Sequence, residues 1–133
     1  MKRRVYLDHL AGTPLAAEVR EAMRPFLEER FGSASSLHSH GLAAREAIGT
    51  AREQCAELIN GTPEEILFTS SGTEANNLAV KGVALAQRER GNHIVLSNIE
   101  HPSIDQSVVW LEENGFTTTR VPVDGEGRVA PNN

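Results

Sequence analysis

The sequence predicts an α/β fold built on a mainly parallel sheet. Short apolar runs of strand length alternate with longer segments whose apolar residues recur at helical spacing. The intervening segments suit crossover helices, and one strand feeds a helix directly through a small, hydroxyl-rich turn.

Val5, Tyr6 and Leu7 form the first strand-like run. Thr13 then offers an N-cap and Pro14 a first helical residue, which predicts a helix over 14–30 with Gly32 just past its end. Leu15, Val19, Ala22, Met23, Phe26 and Leu27 share one face of it, and that face is expected to be buried. The stretch GSASSLHSHG at 32–41 reads as an ordered polar loop. A second helix is predicted over 42–60, lined by Ala43, Ala47, Ala51, Cys55, Leu58 and Ile59 and stopped by Gly61 and Pro63. Ile66, Leu67 and Phe68 fit a buried strand over 65–69. A third helix follows over 73–90, closed by Gly91; then come a strand over 93–97, a helix over 102–114 and a strand over 116–123.

The totals restrict function. At 133 residues the chain has the length of one domain. Its 39% hydrophobic and 23% charged residues are those of a folded protein. The net charge of -5 is spread along the chain, with one short basic cluster at Lys2, Arg3 and Arg4, so neither nucleic acid nor an anionic membrane is an expected partner. No apolar run approaches the roughly 18 residues that cross a bilayer. The first residues lead into a strand instead of an apolar leader, and the expected location is the cytoplasm. The single cysteine, Cys55, has no partner for an internal disulfide. It lies on the small-residue side of its helix and is read as structural.

The clearest chemical signal is SSGTEANN at 70–77. A helix N-terminus offers unpaired amides and the positive end of the helix dipole, so a phosphate can sit there. Gly72 permits close backbone approach, and Thr73 can donate its hydroxyl. A simple N-cap is the plainer reading of such a turn. The glycine pattern of dinucleotide sites and the Gly-Lys-Ser/Thr of nucleotide loops are both missing, which leaves a ligand with a single phosphate.

Four segments in order resemble the cysteine desulfurases, a branch of the class V aminotransferase family: VYLDHLAGTPL at 5–15, FGSASSLHSHG at 31–41, EEILFTSSGTEANNLAVKG at 64–82 and HIVLSNIEHPSI at 93–104. GFTTTRVPVDGEGRV at 115–129 is similar to the family's sequence after the histidine helix. The resemblance implies the first part, 1–133, of a fold type I large domain binding pyridoxal 5'-phosphate, with the remainder of the family's chain absent. It implies that Gly72 and Thr73 hold the phosphate and that His101 stacks on the pyridine ring. His101 sits between a strand and a helix, at the carboxyl end of the sheet where ligands of open α/β folds bind, and an imidazole can move a proton near neutrality. Its plainer role is to cap the next helix.

By the same resemblance the complete enzyme takes sulfur from L-cysteine, leaves L-alanine, and delivers persulfide sulfur to iron–sulfur cluster assembly or tRNA thiolation. It is a homodimer whose partner subunit also reaches the phosphate, and a sulfur-acceptor or scaffold protein is a further expected partner. The family's cofactor lysine, pyridinium-pairing aspartate, substrate arginine and nucleophilic cysteine belong to later sequence, so this segment alone is expected to be inactive. Lys81 reads as an ordinary helix residue. His38 and His40 lie in the polar loop near the implied site without carboxylate or cysteine at ligand spacing, so no metal is expected. His9 and His93 are placed at strand ends. Leu10, Gly12 and Gly32-Ser33-Ala34 depart from the family's usual residues. Another class V aminotransferase, a selenocysteine lyase, or a noncatalytic binding or regulatory remnant are the alternatives. Apolar faces left uncovered would make the isolated chain poorly soluble.

Overall fold

The computed structural model describes residues 4–130. The chain divides into two compact units, Met1–Leu67 and Phe68–Asn133.

The first unit is helical. Helix α1 spans Ala17–Glu28 and α2 spans Ser39–Ile59, followed by a single 3-10 turn at Pro63–Glu65. Thr13 does not cap α1, which starts after Ala16 without any side-chain cap. Pro25 lies inside α1, where its missing N–H removes a rung of the ladder. The apolar face expected to be buried is only partly covered: no residue of α1 is buried, and Val19, Met23 and Phe26 remain more than 40% exposed.

Helix α2 begins three residues earlier than its apolar pattern, because the His38 side chain accepts from the Gly41 amide and draws Ser39 and His40 into the first turn. Its end also differs from the one expected. Asn60, not Gly61, adopts the left-handed conformation (φ 53°), and the Gly61 amide reaches back to the Ala56 carbonyl. At the 3-10 turn Thr62 and Glu65 form a capping box, with Glu65 accepting from the Thr62 amide at 2.8 Å.

The second unit is the α/β layer. Helix α3 is Gly72–Ala86, strand β1 His93–Ser97, helix α4 Pro102–Glu113 and strand β2 Thr117–Val121. The strands pair in parallel, from His93 beside Thr117 to Ser97 beside Val121, with α4 as the crossover. The α/β class with a parallel sheet is therefore present. Two expected strands are not: residues 5–7 and 66–69 carry no ladder. Their sequences suit a sheet, but a strand exists only in a ladder, and neither segment pairs with a described strand. The expected strand over 116–123 shortens to β2 plus an isolated bridge between Val123 and Val129. The closing residues 131–133, and Lys2 and Arg3 of the basic cluster, lie outside the described residues.

The core of this unit belongs to α4. Ser103, Ser107, Val108 and Leu111 recur at helical spacing and are buried, and Phe116 joins them from the turn into β2. That turn needs Gly115, whose φ is 89° and whose missing Cβ would stand 3.0 Å from the Arg88 guanidinium. Arg88 donates to the Asn114 carbonyl and Asn92 to that of Gly115, tying the loop after α3 to the end of α4. Helix α3 packs along α4. Their contact aligns the two N-terminal ends.

Candidate functional site

The turn into α3 is held by its own hydroxyls. Ser71 is the N-cap and its Oγ accepts from the Glu74 amide at 3.2 Å, while its carbonyl accepts from Ala75. Glu74 turns back to accept from the Ser70 amide at 2.7 Å and the Ser70 hydroxyl at 2.6 Å. Those bonds to Ser70 hold the Glu74 carboxyl below its usual range, so it is ionised at neutral pH. The amides of Gly72 and Thr73 take no acceptor among the described residues. They are the orphan donors that every helix start leaves. A Cβ built on Gly72 would meet nothing within 4 Å, so the backbone there is open to approach. Gly72 is not among the residues with positive φ, which means that its missing side chain matters for access and not for conformation.

The start of α4 carries His101. The residue is exposed and caps the helix: its Nδ1 accepts from the Ser103 amide at 3.1 Å and lies 2.8 Å from the Ser103 hydroxyl. The plainer role foreseen for this histidine is thus realised. It uses only one ring nitrogen, and Nε2 has no partner among the described residues. The Asn76 amide group donates to Ser103 Oγ at 2.8 Å, which ties the first turns of α3 and α4 to each other. Gly72 and Thr73 on one helix start and His101 on the other therefore lie in one unit, joined by Asn76 and Ser103. Sequence reasoning passed over those last two residues. An Asn within the first turns of a phosphate-type helix and a Ser two residues past a capping His were the available signals.

The other residues weighed from sequence take structural positions. Lys81 donates to Asn77 at 2.8 Å and lies 5.1 Å from the centre of the Trp110 ring, so it is engaged along the α3–α4 contact two turns beyond Thr73. His38 caps α2, and His40 stacks on Phe31 at 5.0 Å. Among the described residues no group of three or more metal-ligating side chains occurs. His93 does more than end a strand: its two nitrogens bond Thr117 and Thr119 across the sheet, each at 2.9 Å. Cys55 is half-buried on α2. His9 lies outside β1 and β2, with its ring edge-on to Tyr6 at 5.1 Å.

A family model described as aminotransferase class-V matches residues 5–133. The chain belongs to the class V aminotransferases. Among curated relatives, it is 52% identical over 131 residues to "Cysteine desulfurase IscS" of Dictyoglomus turgidum, covering 98% of this chain and 33% of that protein. It is 45% identical to the protein of the same name from Methanosarcina thermophila, covering 96% of this chain and 31% of the other. The chain thus spans about a third of the length of the curated relatives it matches. Solved structures agree in fold. A "NIFS-like protein" superposes with a TM-score of 0.88 at 36% identity, over 96% of this chain and 35% of its own. "SspA in complex with cysteine" does so with 0.78 at 38% identity, over 86% and 33%.

Proposed function

We propose that this chain is the first part of a cysteine desulfurase and supplies the phosphate cradle and ring-stacking histidine of its pyridoxal 5'-phosphate site. The observation that carries the reading is the pairing of two helix starts in one unit. One presents the unpartnered Gly72 and Thr73 amides beneath an open approach, and the other presents His101 with Nε2 free. Unpaired amides, a neighbouring hydroxyl and a dipole end fit a phosphate monoester. A planar, exposed imidazole fits the aromatic ring to which that phosphate is attached.

When bound, the cofactor acts as the electron sink for chemistry at the α-carbon of an amino acid. The chain's own contribution is positional. Gly72 and Thr73 fix the phosphate, His101 holds the ring face and manages a proton at Nε2, and Glu74 keeps the turn closed through Ser70. The substrate class is L-cysteine, in keeping with the names of the relatives and with the cysteine complex of one structural neighbour. The products are L-alanine and a persulfide sulfur, passed on to iron–sulfur cluster assembly or tRNA thiolation through an acceptor protein.

The cofactor-binding lysine, the pyridinium-pairing aspartate and the nucleophilic cysteine belong to sequence beyond this segment, which alone is inactive. A second copy of the chain completes the site in the assembled enzyme. The setting is the cytoplasm. No helix among the described residues is long and apolar enough to cross a membrane.

Titrating the 15N-labelled chain with pyridoxal 5'-phosphate tests the reading. Amide shifts centred on Gly72 and Thr73, absent with unphosphorylated pyridoxal and lost in Gly72→Val, are expected. Borohydride trapping of the cofactor on Lys81 would overturn the assignment of the lysine to other sequence.

A further inference from the structure

We propose that Asn76 and Ser103 are positioning residues that lock His101 in the tautomer with its proton on Nε2, so that the outward nitrogen of the ring starts as a hydrogen-bond donor. The direction of each bond from Asn76 to the ring is set by one backbone group. The Ser103 amide can only donate, and it points at His101 Nδ1 from 3.1 Å, so Nδ1 is unprotonated. The Ser103 hydroxyl lies 2.8 Å from the same nitrogen and must therefore give its own hydrogen to it. With that hydrogen committed, Ser103 Oγ offers only lone pairs on its other side. The group 2.8 Å away is the Asn76 side chain, which must present its NH2. The Ser107 hydroxyl donates to the Ser103 carbonyl at 2.7 Å in a buried position and holds the middle member in place.

A neutral imidazole carries one proton, so with Nδ1 serving as a double acceptor the proton resides on Nε2. That nitrogen has no partner among the described residues. What it can meet there is a lone pair: a carboxylate, phenolate or carbonyl oxygen, or a thiolate. It must give up its proton before it can take one. The relevance of this donor to a bound cofactor rests on the function proposed above, whereas the tautomer does not.

The tautomer is read by long-range 1H–15N correlation on the histidine-labelled chain, at a pH where the ring is neutral. Wild-type His101 is expected to show Nδ1 in the unprotonated range and Nε2 in the protonated range. The reverse pattern would overturn the proposal without any variant. Ser103→Ala removes the hydroxyl, which can serve either tautomer, and keeps the backbone amide on Nδ1, so the Nε2–H form should stay in excess; a reversal there would overturn the reading of that amide as the group that sets the direction. Asn76→Asp replaces a donor by an acceptor that competes for the Ser103 hydroxyl hydrogen. It should lower the ratio of Nε2–H to Nδ1–H forms, while Asn76→Leu, which only removes the contact, should move it less. A purely structural role predicts no difference between Asp and Leu at position 76, and equal ratios in the two would remove Asn76 from the proposal. Adding pyridoxal 5'-phosphate separates the two readings. A chain with the Nε2–H tautomer whose Gly72, Thr73 and His101 signals ignore the cofactor would refute the proposed function and leave the tautomer lock standing.

Discussion

Two glycines of α2 make a matched pair. A Cβ on Gly49 would meet nothing within 4 Å, whereas one on Gly41 would run into the Ser36 carbonyl oxygen and stand 2.7 Å from Ser36 Cβ and 2.8 Å from the Ser33 carbonyl oxygen. Ordinary contacts run from 3.4 to 4 Å. The neighbours cannot easily yield, because the Ser36 amide already donates to the Ser33 carbonyl at 2.9 Å and closes that turn. Replacing glycine by alanine in a helix gains at most about 1 kcal/mol. Forcing a methyl group into a filled space costs about 1–3 kcal/mol. Gly49→Ala should therefore stabilise the chain by roughly 1 kcal/mol. Gly41→Ala should fall below it by about 1–3 kcal/mol, ending at or under wild type. Urea unfolding followed by circular dichroism measures both variants on one scale. Equal stabilisation of the two would show that the 32–41 loop does not press on the start of α2, and the reasoning from close contact would fail.

Leu111 is fully buried in α4, and Leu111→Ala should cost about 2–5 kcal/mol in the same urea assay. A loss under half that range would mean that the unit collapses around the gap. Hydrogen bonds from Ser70 lower the Glu74 carboxyl, and backbone bonds from Arg128 and Glu126 lower that of Asp124. A carboxyl lowered in the folded state stabilises it above the unfolded pKa and loses that contribution as pH falls through the folded one. Thermal midpoints should accordingly drop on acidification through and below the ordinary carboxylate range, and less steeply in Glu74→Gln. An unchanged slope in that variant would deny Glu74 its part. Leu7, Leu10 and Leu58 are at least 85% exposed, so size-exclusion chromatography should show self-association. A monodisperse monomer would contradict this.

The sequence made the second unit legible and the first less so. β1, α4 and β2 lie close to their expected places because they find their partners inside the same unit: Val108, Leu111 and Phe116 are all buried there, and His93 pairs with Thr117 across the sheet. Residues 5–7 and 66–69 have the side chains of strands but join no ladder among the described residues, because intrinsic preference alone makes none. The start of α2 was hidden because a histidine cap is not among the usual signals. At the site, Gly72, Thr73 and His101 announced themselves through local motifs. Asn76 and Ser103 did not, since their role arises only from the α3–α4 contact, across 27 positions of sequence.

Trp110 is the chain's only tryptophan. It sits on α4 with the Lys81 ammonium of α3 over its ring, at the same helix contact that aligns the two starts of the candidate site. Because an indole's emission responds to a nearby cation and to water, the molecule carries its own optical gauge of that contact. Loosening of α3 from α4 will appear as a change in intrinsic fluorescence, with no label attached and no catalytic turnover required.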